Sequence, residues 1–388
     1  MAAEAAVVVD RGAFPEARTP WEEAGWRREA FAWAGRELAA RGLRVTGPPR
    51  VRLRPWSVLV RMPVAGQGAV WFKANPPASA FEAPLAAALA RWVPEHVLAP
   101  LAVDAERGWS LLPDGGALFR DVLGGSGSGS GSGRESGGGS GGGAGPREWE
   151  GALRQYAGMQ YALAPRAGEL EELGVPRART AELPGVFERL VDGNGALGAE
   201  ERTRLRALRP QVAQWCAELA GAGIADSLDH SDLHEGQFFH DEGQFFHELD
   251  GGQLLHAEAG RAVAGRAEAG RGEAGRSGVG RFTFFDWGDA AVSHPFCSFL
   301  VPARRVRELY GSEALPRLRD AYLEPWTGHG RTPADLRRAL SLAGRLGVLG
   351  RAISWGRLFP GASEPAHAAG EAAGAEWLRE LLDAEPPV

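Results

Sequence analysis

Strand-like and helix-like segments are segregated along this chain, and that segregation limits its possible folds more than any other feature. Val51-Arg52-Leu53-Arg54 alternates apolar and charged residues. Ser57 to Met62 is β-branched and apolar, and Ala69 to Ala74 follows as a third strand-like run. The turn from Pro63 to Gly68 holds Gly66 and Gly68, as a hairpin requires. Val97 to Val103 and Gly108 to Leu112 read as two further strands, and Pro113-Asp114-Gly115-Gly116 then breaks the pattern. From Pro146 the apolar period becomes helical: Trp149, Leu153, Tyr156 and Met159, then Leu205, Leu208, Val212, Trp215 and Leu219. Helices are also expected over 20–42, over Leu315 to Tyr322, over Leu336 to Leu358 and, briefly, near Trp377 to Leu382. Runs of strands followed by runs of helices predict an α+β chain. They exclude a doubly wound parallel sheet, whose strands and helices alternate.

Two short motifs carry chemistry. In His230-Ser231-Asp232-Leu233-His234-Glu235-Gly236-Gln237, a carboxylate precedes a side-chain amide by five residues. In Phe285-Asp286-Trp287-Gly288-Asp289, a second carboxylate follows the apolar run Phe282-Thr283-Phe284. A carboxylate that accepts a hydroxyl proton, with an amide oxygen and another carboxylate to hold Mg²⁺, is the set that phosphoryl transfer from ATP needs. The order and spacing resemble the aminoglycoside phosphotransferase and choline-kinase-like family, in which His-x-Asp-x4-Asn is followed by an Asp after an apolar strand. The resemblance runs from about Val51 to about Pro360. This chain departs from it with Gln237 in place of Asn.

The resemblance implies a protein-kinase-like two-lobed fold. Residues 1–113 would form the N-terminal, nucleotide-binding lobe, and 114–388 the helical C-terminal lobe. Asp232 would be the catalytic base, and Gln237 and Asp286 the Mg²⁺ ligands. His230 would fix its loop by hydrogen bonds. Asp289 is either a contact to a second metal ion or a turn cap, and His234 and Glu235 face the substrate region without a firm role. Lys73 ends an apolar strand and Glu82 opens the helix after it, which is the order of the kinase ion pair that presents lysine to the α- and β-phosphates. A charge at a helix start is the plainer reading of Glu82. The glycine-rich phosphate loop is absent: Gly66-Gln67-Gly68 comes one hairpin late, and Arg54-Pro55-Trp56-Ser57 has no glycine, leaving Ser57 as the candidate phosphate contact. Adenine would meet the backbone between Leu111 and Asp114.

The implied activity is ATP- and Mg²⁺-dependent phosphorylation of a hydroxyl on an aminoglycoside, a sugar or an amino alcohol. A catalytically weak nucleotide-binding pseudokinase is the alternative. A metal hydrolase built on His230, Asp232, His234 and Asp286 is a third reading, and it would leave Lys73 and Glu82 without a task. The acceptor is not legible, and neither is the oligomeric state.

Composition bounds the rest. With 388 residues, 44% of them hydrophobic, the chain has material for two cores. A formal net charge of −6 and no basic stripe outside one repeat argue against nucleic acid as a partner. No apolar run is long enough for a membrane span, and the N-terminus lacks a basic leader. Two cysteines, Cys216 and Cys297, make no disulfide framework, so a cytoplasmic setting is the expectation. Gly124 to Gly145 is almost pure Gly and Ser and is expected to be a flexible insert. Glu235 to Asp241 recurs as Glu242 to Glu248, and 257–281 is five five-residue copies ending in Arg. Setting both aside leaves a hairpin's length between Gln237 and Asp286, so these repeats are expected to lengthen its tip and spare its base.

Overall fold

The computed structural model describes residues 6–11, 18–66, 68–123, 145–241, 280–328, 330–357 and 364–383. The first part is a six-stranded sheet. It contains β1 (Ala6–Val9), β2 (Arg50–Arg54), β3 (Ser57–Val64), β4 (Gly68–Ala74), β5 (Ala102–Asp104) and β6 (Trp109–Pro113), in the order β1-β2-β3-β4-β6-β5. All pairs are antiparallel except β1 with β2. The two-residue turn Pro55-Trp56 closes β2 on β3, with Arg54 opposite Ser57.

β1 was not foreseen. Its partner residues, Arg50 to Leu53, lie more than 40 positions away, and no local period announces a parallel pairing at that range. The strand expected from Val97 is shorter than its apolar run. Val97 instead bridges to Phe284, and the strand begins at Ala102.

Helix α1 (Ala24–Ala40) covers one face of the sheet. Trp26, Trp33, Phe72 and Trp109 meet edge to face, with ring centroids 5.5–6.3 Å apart. Such contacts add to the stabilisation that burial of these large apolar rings provides. Helix α2 (Glu82–Trp92) leaves β4 through a short 3₁₀ turn and packs Leu85 and Leu89 into the other, larger core.

The second part is helical: α3 (Phe119–Leu123), α4 (Pro146–Leu163), α5 (Ala167–Glu172), α6 (Leu183–Gly193), α7 (Ala199–Ala207) and α8 (Arg209–Gly221). Two short ribbons follow. β7 (Ser227–Asp229) pairs with β10 (Ala291–Ser293), and β8 (Phe238–Asp241) pairs with β9 (Arg281–Phe284). Helices α9 (Leu300–Tyr310), α10 (Leu315–Leu323), α11 (Pro333–Trp355) and α12 (Glu364–Arg379) complete it. The last helix is longer than the short terminal one expected near Trp377.

Asp241 pairs with Arg281 at the base of the hairpin expected between the two motifs. The Gly/Ser segment up to Ala144, the duplicated copy from Glu242 and the repeats as far as Val279 lie outside the described residues. Among the described residues no helix is long and apolar enough to cross a membrane, and both cysteines are free and buried.

Candidate active site

The two motifs meet because their flanking strands pair. β7 delivers His230 to Gln237, β8 leaves from Gln237, and β9 returns to Asp286. The base of the first loop is tied into the helical core. Asp229 accepts from the Ser231 amide (2.9 Å), the Ser231 hydroxyl (3.0 Å) and the Ser298 hydroxyl (2.6 Å). Gln160 of α4 donates to the Leu228 carbonyl (2.7 Å). Burial holds the Asp229 carboxyl above its usual range. Helix α11 passes close to this loop at Gly350, where a Cβ would meet Ser231 Oγ at 3.3 Å.

Ser231 (φ 61°) and Asp286 (φ 66°) are the only non-glycine residues with positive φ among those described. Side chains seldom occupy that region, and such strain concentrates where geometry matters more than local stability.

His230 is fully buried, and its Nε2 lies 2.9 Å from the Phe285 carbonyl. That contact joins the two motifs, as its structural assignment anticipated. Burial lowers its pKa to about 4, so it is neutral. No group of three His, Cys, Asp or Glu among the described residues is arranged to hold a metal ion.

Lys73 lies in the middle of the sheet, opposite Leu59 on one side and Ser110 on the other. Its Nζ donates to Glu82 Oε1 (2.6 Å) and to Asp286 Oδ1. Burial would lower the ammonium's pKa, but Asp286 and Glu82 outweigh it and hold it above the ordinary value. Glu82 also accepts from the Trp287 amide (3.1 Å) and from Asn75. The helix-start reading of Glu82 therefore gives way to the ion pair. Asp286 is desolvated, yet Lys73 keeps it below the usual carboxylate range, and its side chain remains 38% exposed.

Asp232, Gln237 and Asp286 line one cleft of about 230 Å³ together with Ser57 and Asn75. Gln237 Nε2 lies 3.3 Å from His234 Nε2. Burial raises Asp232 to about 7, against the opposing pull of Arg351. His234 Nδ1 accepts from the Gly236 amide (3.0 Å), which turns the ring along its own loop. Glu235 is held by Arg305 (2.6 Å).

The C-terminal helices had suggested no chemistry, yet α11 supplies a wall of the cleft. Arg351 Nη2 lies 3.1 Å from Asp232 Oδ1, and Nη1 reaches Asp289 (3.2 Å) and the Ser231 carbonyl (3.1 Å). Asp289 is thus an arginine partner. Arg357, just past the helix, donates to the carbonyls of Gly288 (3.3 Å) and Ala290 (3.1 Å). One signal was available in the sequence: Arg351 is the lone charge in the apolar run Leu346 to Trp355.

The expected hinge is β6 and the turn after it. A Cβ on Gly115 would meet the Phe239 ring at 2.2 Å, so only glycine fits this approach. Phe239 stacks on Phe285, with ring centroids 4.6 Å apart. The β6 turn, strand β8 just after the first motif, and the residue before Asp286 are therefore in one contact.

No family model and no curated protein matches the chain. Among solved structures, an ethanolamine kinase of Plasmodium vivax aligns with a TM-score of 0.51 at 10% identity, over 89% of this chain and 82% of that one. A macrolide 2'-phosphotransferase of Brachybacterium faecium aligns at 0.49 and 17%, over 89% and 97%. A choline/ethanolamine kinase family protein of Mesorhizobium loti aligns at 0.47 and 16%, over 90% and 95%. With its leading sheet, its helical second part and two motif loops joined by a hairpin, the chain has the kinase-like fold of the ethanolamine kinase.

Proposed function

We propose that this protein is an ATP- and Mg²⁺-dependent phosphotransferase acting on a hydroxyl of a small molecule such as an aminoglycoside, a sugar or an amino alcohol. The observation that carries the reading is the convergence of Asp232, Gln237 and Asp286 on one cleft, with the Lys73–Glu82 pair fixed on Asp286. The fold is shared with an ethanolamine kinase, whose name describes such a reaction.

The donor set suits a hard cation: a carboxylate kept ionised by Lys73, and an amide oxygen beside it. Asp286 and Gln237 would hold Mg²⁺, which when bound offsets the charge of the phosphates. Lys73 and Ser57 would meet phosphate oxygens, and the backbone from Leu111 to Asp114 would meet the adenine edge. Asp232 orients the acceptor hydroxyl. Its carboxylate takes the hydroxyl proton as the new oxygen–phosphorus bond forms and the bond to the departing diphosphate breaks. Arg351 favours the ionised form of Asp232 and, through the Ser231 carbonyl, fixes the loop that carries it.

Asp232, Gln237, Asp286, Ser57 and Arg351 all line the cleft, which favours turnover over a nucleotide-binding module without it. The domain reading follows from the same assignment: the part up to about residue 113 binds nucleotide, and the part after it binds acceptor and metal.

Replacing Asp232 by Asn tests the assignment. Mg²⁺–ATP affinity, measured by calorimetry, should persist while acceptor-dependent ADP release falls by about 10²-fold or more, the range of a lost general base. Unchanged turnover in Asp232→Asn would remove Asp232 from the chemistry and the reading with it.

A further inference from the structure

The charges around the cleft constrain the acceptor. Three aspartates line it, and each already has a cation: Asp286 has Lys73, while Asp232 and Asp289 share Arg351. Each of these cations is shared between two carboxylates, Lys73 with Glu82 as well.

Arg357 is in the opposite situation. It is only 9% exposed, and its guanidinium lies over the Phe81 ring, 5.8 Å from the centroid. Its Nη1 serves two backbone carbonyls, whereas its Nη2 has no hydrogen-bond partner among the described residues. No carboxylate among them lies within 4.0 Å of it. Burial lowers its pKa to about 10, which leaves it cationic at neutral pH. Asp289 and Asp229 favour its charge only from beyond ion-pair distance, and out of water a guanidinium with an idle donor and no paired carboxylate is costly unless a ligand completes it. The planar fork of arginine matches an oxyanion.

We propose that the acceptor carries, besides its reacting hydroxyl, an anionic group, a carboxylate or a phosphate ester, that pairs with Arg357 in the Asp232 cleft. This rests on the phosphotransferase reading and narrows its substrate class. The position of Arg357 supports the acceptor as the source of the oxyanion: it stands at the end of α11, the wall that also holds Asp232, whereas Lys73 and Ser57 belong to the sheet. A nucleotide phosphate has the same chemistry, so the test separates the two sources.

Matched acceptors differing by one charged group are compared with Mg²⁺–ATP: ethanolamine against serine, galactose against galacturonate, and galactose against galactose 6-phosphate. The anionic member should have the higher kcat/KM by about 10- to 100-fold, the range of a charge-assisted hydrogen bond. Arg357→Gln should erase that advantage by raising the acceptor KM, and Arg357→Lys should keep part of it. Preference for the neutral members overturns the proposal, even if Arg357→Gln fails to fold. A rise in the ATP KM with the acceptor KM unchanged overturns it too, because the oxyanion is then the nucleotide's.

If wild-type protein phosphorylates none of these, the phosphotransferase reading loses these acceptors and is judged separately. The anion site is then judged by thermal denaturation with the same five compounds. Stabilisation by the anionic members that survives in Arg357→Lys upholds it, and identical curves for charged and neutral members sink it.

Discussion

The buried pair between Lys73 and Glu82 makes a prediction about stability that needs no knowledge of the substrate. Both side chains are 8% exposed. Glu82 is the acceptor for three donors: the Lys73 ammonium at 2.6 Å, the Trp287 amide at 3.1 Å and the Asn75 amide. Glu82→Ala strands the two neutral donors and leaves the ammonium with Asp286 alone. Breaking a buried pair on one side costs about 3–5 kcal/mol. The retained Asp286 contact places the expected loss toward the lower end of that range.

Lys73→Met has the reverse defect, with two carboxylates left facing each other in a desolvated site. Adding Glu82→Gln removes one of those charges and keeps an acceptor for Trp287. The double variant should therefore be less destabilised than the sum of its singles, by about 1–3 kcal/mol, as for residues in direct contact. Urea unfolding of nucleotide-free protein, followed by tryptophan fluorescence, measures all four corners. Additivity within about 0.5 kcal/mol would mean that the two residues do not interact, and would refute the ion pair.

Three other outcomes follow from the site. Asp286→Asn should weaken Mg²⁺-dependent ATP binding as well as turnover, and calorimetry with and without Mg²⁺ separates it from Asp232→Asn, which should spare binding. Asp232 must be ionised to accept a proton, and burial raises it to about 7, so kcat/KM should climb as pH rises through that value. Arg351 lowers the pKa of Asp232, so Arg351→Gln should move this limb to higher pH; a profile flat from about pH 5.5 to 8.5 would contradict the assignment. Gly115→Ala should push Phe239 off Phe285, costing about 1–3 kcal/mol as overpacking does and weakening ATP binding by about tenfold. Gly116→Ala is the control for backbone strain alone, since its φ is 87° but the space around it is open; equal effects of the two would show that the Phe239 contact is irrelevant.

The parts of this protein that were legible in the sequence are those whose causes are local. Alternation marks β2 and the apolar runs mark β3 and β4, because side-chain direction repeats every two residues in a strand. The spacing of Asp232 and Gln237 fixes them on one short loop. The hairpin between the motifs was foreseen by discounting repeated sequence, and β8 pairs with β9 at its base. The order of Lys73 and Glu82 suggested a pair but could not choose between a partner and a helix-start charge. That choice depends on how α2 lies against β4 and on Asp286, more than 200 residues further on.

Other features depended on contacts between distant segments and left no local trace. The parallel pairing of β1 joins residues more than 40 apart, and a four-residue run of Ala and Val is compatible with many partners. Arg351 reaches Asp232 across some 120 positions because Gly350 lets α11 approach the loop. Arg357 becomes a cation without a carboxylate only when the turn after Asp286 offers it carbonyls instead. The sequence by itself determined which side chains are available for the chemistry and roughly where the strands and helices lie. The tertiary structure alone decided which charges compensate one another, because ion pairing is set by distance in space and by exclusion of water.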